Sequence, residues 1–162
     1  TVSVGAVAEA LPPVPEALRA FDCRNNRLML SAREQIAAEV AAAARRYGAH
    51  RIAVVLGTST SGVAESEMAY AEYKERGAWP ARFSYSQHEA GGLPEFAAHW
   101  LGLGGPAYAV TTACSSSAKV FASARRLIAA GICEADAPAG RTMVTPAACP
   151  RTATVQDARQ AG

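Results

Sequence analysis

The sequence holds no C-x-x-C pair, and no His-x₃₋₅-His pair lies near any of its four cysteines, Cys23, Cys114, Cys133 and Cys149. That argues against a zinc site. Four thiols permit disulfides, but the chain is neither short nor cysteine-dense, so they read as reduced thiols of a cytosolic protein. No apolar run approaches the about 18 residues of a spanning helix, so no membrane segment is expected. Aromatic residues are few, at 7%, and no basic–aromatic interleave offers a stacking platform for bases. Neither sign of charge dominates: the net charge of +2 is dispersed, which points away from nucleic acid and anionic membrane surfaces. The start, "TVSVGAVAEALPP", lacks an initiator Met, a basic segment and a long apolar core. It is therefore not read as a signal peptide, and Thr1 is not expected to be the first residue of the gene.

What is present is apolar and periodic. Half of the 162 residues are hydrophobic, enough for one domain with a real core. Residues 1–20 carry three prolines and read as loop or edge, and "DCRNNR" (22–27) reads as a polar turn. Ser31 followed by Glu34 has the spacing of a capping box. It would open a helix through "REQIAAEVAAAARRYG", with Ile36, Val40, Ala43, Ala44 and Tyr47 as its apolar stripe and Gly48 as its stop. "RIAVVLGTSTSG" (51–62) reads as a strand buried on both faces and closed by Gly57. Val63 to Arg76 reads as a helix, and 77–92 as a long loop. "LPEFAAHWLGL" places Leu93, Phe96, Ala97, Trp100 and Leu101 on one helical face. "PAYAVTTAC" (106–114) reads as a second buried strand, and about Ser115 to Ala130 as a helix with Val120, Ala124, Leu127 and Ile128 inward. Strands alternating with helices predict an α/β domain with a mostly parallel sheet.

Cys114 is the candidate site residue. It stands between a strand and a helix, where open α/β sheets gather their reactive groups. Free cysteine is often simply buried. Here, however, Ala113, Ser115, Ser116 and Ser117 leave room for a sharp nucleophile-bearing turn. A helix start favours thiolate over thiol and offers backbone N–H donors to an oxyanion. That equipment suits acyl transfer.

The segment "GPAYAVTTACSSSAKVFASARRLIAAGICEAD" resembles the active-site stretch of the β-ketoacyl-[acyl-carrier-protein] synthases. Their pattern is G-P, an apolar strand, T-A-C-[small]-S-[small], then a helix ending in I-x-x-G. Gly105, Pro106, Thr112, Ala113, Cys114, Ser116 and Gly131 match it, and "IAVVLGTSTSG" resembles the upstream strand and glycine loop through Gly57, Thr58 and Gly62. The resemblance covers roughly residues 20–137. It implies a thiolase-like fold, here a partial N-terminal half, and a decarboxylative Claisen condensation of fatty acid or polyketide type. Cys114 would hold the acyl chain as a thioester while malonyl-carrier protein loses CO₂. The implied partners are acyl and malonyl carrier-protein thioesters and a homo- or heterodimeric mate; no cofactor or metal is implied.

The chain departs from the family in its histidines, and the family's first strand with its glycine-rich turn is not found before Thr1. The two histidines and the lysine that assist the second step there lie in the second half of the fold, whereas His50, His88 and His99 all precede Cys114. His50 and His99 read as solvated, His88 as a loop residue rather than a substrate contact, and Lys119 as a helix-face residue. The expectation is an internal piece of a synthase with little condensing activity alone. The alternatives are a non-catalytic subunit that binds carrier protein or a dimer mate, and another thiolase-fold acyltransferase.

Other residues receive plainer readings. Cys23 and Cys133 read as packing residues and Cys149 as a free thiol. Arg24 and Arg27 read as surface ion-pair residues rather than carrier-protein contacts. Glu65, Glu67 and Glu72 with Lys74 and Arg76 read as a solvated helix face, with Glu72 and Arg76 paired. "GTSTSG" lacks the lysine of a phosphate-binding loop.

The domain is expected to span 1–134, with 135–162 an irregular tail. Pro138 in "ADAPAGRTM" falls where the family has a strand ending A-G-G-x-[DE]. The codons of Ala137 to Met143, read two bases later, permit A-G-G-A-D-D, so a frameshift near residue 135 would explain the tail. A junction with a second domain, or a cut chain, is the alternative.

Overall fold

The computed structural model describes residues 7, 10–32 and 36–134. Expectations for residues 135–162, Cys149 among them, lie outside the described residues.

Two parallel strands form the sheet: β1 (Val54–Gly57) and β2 (Ala107–Val110), in the register Val54↔Ala107 to Gly57↔Val110. Parallel neighbours need a crossover. Here it is supplied by α3 (Val63–Arg76), the short α4 (Tyr85–His88) and α5 (Gly92–Leu101). Before β1 come a 3-10 turn (Glu16–Phe21), α1 (Arg24–Ala32) and α2 (Ala37–Tyr47). After β2 come a 3-10 turn (Ala113–Ser115) and α6 (Ser116–Ala129).

The apolar stripes read from the sequence meet at β1. Val54 and Leu56 are fully buried among Val40, Ala43, Leu93, Ala97 and Leu103, with Ile36, Ala44 and Tyr47 packed alongside. A second cluster joins Phe21, Leu30 and Phe96, and the two phenylalanine rings stand 6.1 Å apart and tilted. Helix α3 ends at Gly77 and α5 at Gly102, both in the left-handed conformation, and each returns its N–H to the preceding turn.

Four expectations are corrected. "DCRNNR" is not a turn: α1 starts at Arg24, where the Arg24 N–H donates to Glu65 at 2.8 Å. Asn26 Nδ2, buried, donates to the Phe21 carbonyl, and Arg27 grips Asp22 through two bonds of 2.7 Å. Ser31 does not cap the next helix, because it lies within α1 and its hydroxyl donates to the Arg27 carbonyl; Glu34 lies outside the described residues. The 77–92 loop contains α4, opened by a capping box in which Ser84 Oγ accepts from Ser86 N and Gln87 Oε1 accepts from Ser84 N. Strand β2 is half-exposed rather than buried, since among the described residues it pairs only with β1.

Candidate active site

The carboxyl ends of both strands converge on the start of α6. At the end of β1, Gly57 is required by close approach: a Cβ there would lie 2.8 Å from the Ser116 carbonyl carbon and from the Ser117 nitrogen. Just beyond, Thr58 N donates to the Val110 carbonyl at 3.3 Å, extending the pairing toward the turn.

From β2 the chain turns sharply through Thr112–Ser116. Ala113 has φ +50°, the only non-glycine residue with positive φ among the described residues. A left-handed alanine crowds its Cβ against the backbone, at a cost of about 1–2 kcal/mol. Hydrogen bonds hold it there. Ser116 is 3% exposed; its hydroxyl accepts from Thr112 N at 2.9 Å and donates to the Ala113 carbonyl at 2.7 Å. Ser115 is exposed, its hydroxyl 2.8 Å from the Thr112 carbonyl and 3.0 Å from Thr112 Oγ1, and its N–H reaches the same carbonyl at 3.2 Å. Ser115 thus bonds back to Thr112 and Ser116 to both Thr112 and Ala113, and Cys114 is left at the tip with its side chain exposed.

The other described thiols are unlike it. Cys23 and Cys133 are 3% and 6% exposed, and burial pushes both thiols up from their ordinary value, toward the unreactive protonated form. For them the packing reading holds.

The remaining sequence candidates do not join Cys114. His50 is exposed in a 3-10 turn (Ala49–Arg51), and His99 is exposed on α5, 3.7 Å from Glu95. His88 Nδ1 lies 3.0 Å from Ser66 Oγ, but that hydroxyl already donates to the Gly62 carbonyl at 2.8 Å. Lys119 is exposed on α6, as a helix-face residue should be. Arg24, Arg27 and Glu65 line a cavity of about 580 Å³ together with Arg19, Asp22 and Arg82; Cys114 does not line it. Arg27 is held by Asp22, in keeping with the ion-pair reading. Glu65, however, is no merely solvated residue, and Glu72 is bound by Arg82 across the loop rather than by Arg76 on its own helix. That bond holds the Glu72 carboxyl below the usual glutamate value.

Two residues that hold this region together escape the sequence reading. Ser116 counts there as a small residue and as a match to the family pattern, but not as a hydrogen-bonding one, although its spacing of four from Thr112 is what lets the hydroxyl reach back. Gln87, 5% exposed, donates to the Asp22 and Arg82 carbonyls at 3.0 and 3.1 Å. The S-x-x-Q spacing of Ser84 and Gln87 could have revealed α4.

The chain is similar to known proteins. Residues 16–151 match the family described as "Beta-ketoacyl synthase, N-terminal domain". Among solved structures, the chain is similar to the ketosynthase ApeO, determined in complex with its chain length factor ApeC, from Xenorhabdus doucetiae. The two are 39% identical with a TM-score of 0.68, over 79% of this chain and 33% of that one. This chain thus spans about a third of the length of that ketosynthase. No curated protein matches it. With its thiolase-like parallel strands and a family match across most of its length, the chain belongs to the β-ketoacyl synthase family and carries part of that family's N-terminal domain.

Proposed function

We propose that the chain is the nucleophile-bearing part of a β-ketoacyl-[acyl-carrier-protein] synthase and that Cys114 is its acyl acceptor. The supporting observation is the exposed thiol at the tip of a strained, hydrogen-bonded turn that leads into a helix of 14 residues. The sulfur attacks the carbonyl of an acyl thioester, the new C–S bond forms, and the carrier thiolate leaves and takes up a proton. N–H groups at the start of α6 favour the oxyanion formed on the way. In the complete enzyme, malonyl-carrier protein then loses CO₂, and its enolate attacks the acyl-enzyme. The family's two histidines and lysine assist that step, and they lie beyond the part of the fold carried here. The working form pairs with a second copy or a related subunit, as ApeO pairs with its chain length factor. An exposed cysteine favours this reading over a non-catalytic mate, which needs no nucleophile.

The test is acyl loading. Incubated with an acyl-carrier-protein thioester, the chain gains one acyl mass, and peptide mapping places it on Cys114. Cys114→Ala takes up none, and iodoacetamide at neutral pH labels Cys114 before Cys23 or Cys133. Acylation spread over the buried thiols, or its persistence in Cys114→Ala, overturns the assignment.

A further inference from the structure

We infer that Ser116 is the positioning residue of the nucleophile: its buried hydroxyl staples the turn so that Cys114 presents its sulfur in one direction. The inference rests on the reading of Cys114 as acyl acceptor and adds to it the part that aims the thiol.

The hydroxyl of Ser116 makes two bonds with opposite roles, accepting from Thr112 N at 2.9 Å and donating to the Ala113 carbonyl at 2.7 Å. Together they close a clamp around Ala113, the residue at φ +50°. An alanine left to itself falls back to negative φ. That relaxation rotates the peptide between Ala113 and Cys114 and swings the cysteine Cα–Cβ bond to a new direction. Side chains other than Ser116 do not oppose it equally. Ser115 bonds only to Thr112, not to Ala113, and is exposed, so water can replace its hydroxyl. Ser116 is 3% exposed, so removing its hydroxyl takes from the part-buried Thr112 N–H a partner that packing holds in place. Gly57 backs the clamp from the other side, since its missing Cβ lets β1 lie directly against the Ser116 backbone.

A directional role separates two reactions of the same thiol. Acyl transfer from a bulky thioester needs the sulfur in a near-attack position, and a misplacement of about 1 Å can cost about 100-fold. Iodoacetamide is small and approaches an exposed sulfur from any side, so it is far less sensitive to aim.

The experiment compares Ser116→Ala, Ser116→Thr and Ser115→Ala in the 162-residue chain. Acyl loading of Cys114 and iodoacetamide alkylation are each followed by mass spectrometry, with hydrogen exchange at the Thr112 amide and a thermal melt alongside. In Ser116→Ala, loading slows by about tenfold or more while alkylation stays within about threefold of wild type, and the Thr112 amide loses protection. Ser116→Thr, which keeps the hydroxyl, restores loading to within about threefold, and Ser115→Ala stays in the same range. Should Ser116→Ala fail to fold, Ala113 carries the test: Ala113→Gly, at ease at positive φ, loads like wild type, and Ala113→Val, which resists it, loses about tenfold or more. Wild-type loading in a folded Ser116→Ala or Ala113→Val overturns the inference. So does an equal fall of loading and alkylation in Ser116→Ala. If wild type itself takes up no acyl group, the reading of Cys114 fails, whereas the staple still stands or falls on Thr112 exchange.

Discussion

Replacing Gly57 by alanine puts a methyl group into space that backbone already occupies. Its Cβ would sit 2.8 Å from the Ser116 carbonyl carbon and the Ser117 nitrogen and 2.9 Å from the Ser116 oxygen. Relaxed contacts to carbon are about 3.5–4.0 Å, so the strand end and the helix must part by most of an ångström. No rotamer can absorb this, because the obstructing atoms are the first turn of α6. Overpacking of this kind costs about 1–3 kcal/mol, and a backbone obstacle belongs in the upper half of that range. Alanine also narrows the unfolded ensemble, which offsets about 0.4–1 kcal/mol. The net loss is about 2 kcal/mol, or about 4–8 °C in Tm for a chain of this length. The control is Gly91→Ala, where a Cβ meets nothing within 4 Å and φ is −68°; it should shift the melt by no more than about 0.5 kcal/mol. Circular dichroism melts of the three proteins decide. A Gly57→Ala chain melting within about 1 °C of wild type would refute the packing argument, as would a Gly91→Ala chain that loses as much.

The Glu72–Arg82 pair, which ties α3 to the loop before α4, gives a pH dependence. Arg82, chiefly through its side-chain hydrogen bond, depresses the Glu72 carboxyl, so the pair's contribution is complete above the unfolded glutamate value and is lost as pH falls through the folded one. Melts from about pH 6 to about pH 3 should therefore show the gap between wild type and Glu72→Gln closing on acidification, and a gap independent of pH would contradict this. Gln87→Ala removes donors from two carbonyls and the acceptor of Ser84 N in a buried place, and urea unfolding should show a loss of about 2–3 kcal/mol. A loss below about 0.5 kcal/mol would mean that water takes over the vacated partners.

The sequence is most readable where order is local. Helix α3 runs over Val63–Arg76 as expected because its end is marked by a glycine that turns left-handed, and α5 shows its apolar face at regular spacing. The strand ends are legible because apolar runs break into small residues, and so is the place of Cys114. Helix α1 is not legible, since its asparagines and arginines look like a turn and become helical only through partners elsewhere, Glu65 being 41 residues away. The pairing of Glu72 is misread for the same reason: helical spacing offers Arg76, but the fold brings Arg82 nearer. Around the cysteine, a run of small residues reads as empty space. Which serine is buried, and which way its hydroxyl points, depends on how β1 lies against α6.

The contacts of Arg51 bear on the order in which the chain assembles. Arg51, just before β1, donates through Nη2 to the Gly131 carbonyl and the Glu134 carboxylate, both at 2.8 Å, and its own carbonyl accepts from Glu134 N at 3.2 Å. This clasp joins residues 83 positions apart. Closing a free loop of that length costs about 4 kcal/mol in chain entropy from the logarithmic term alone, more than an exposed ion pair returns. The clasp therefore cannot start folding. It closes after β1, β2 and α6 have docked and brought its ends together, and it then locks a ring that runs from the first strand, through the cysteine turn, and back to where that strand began.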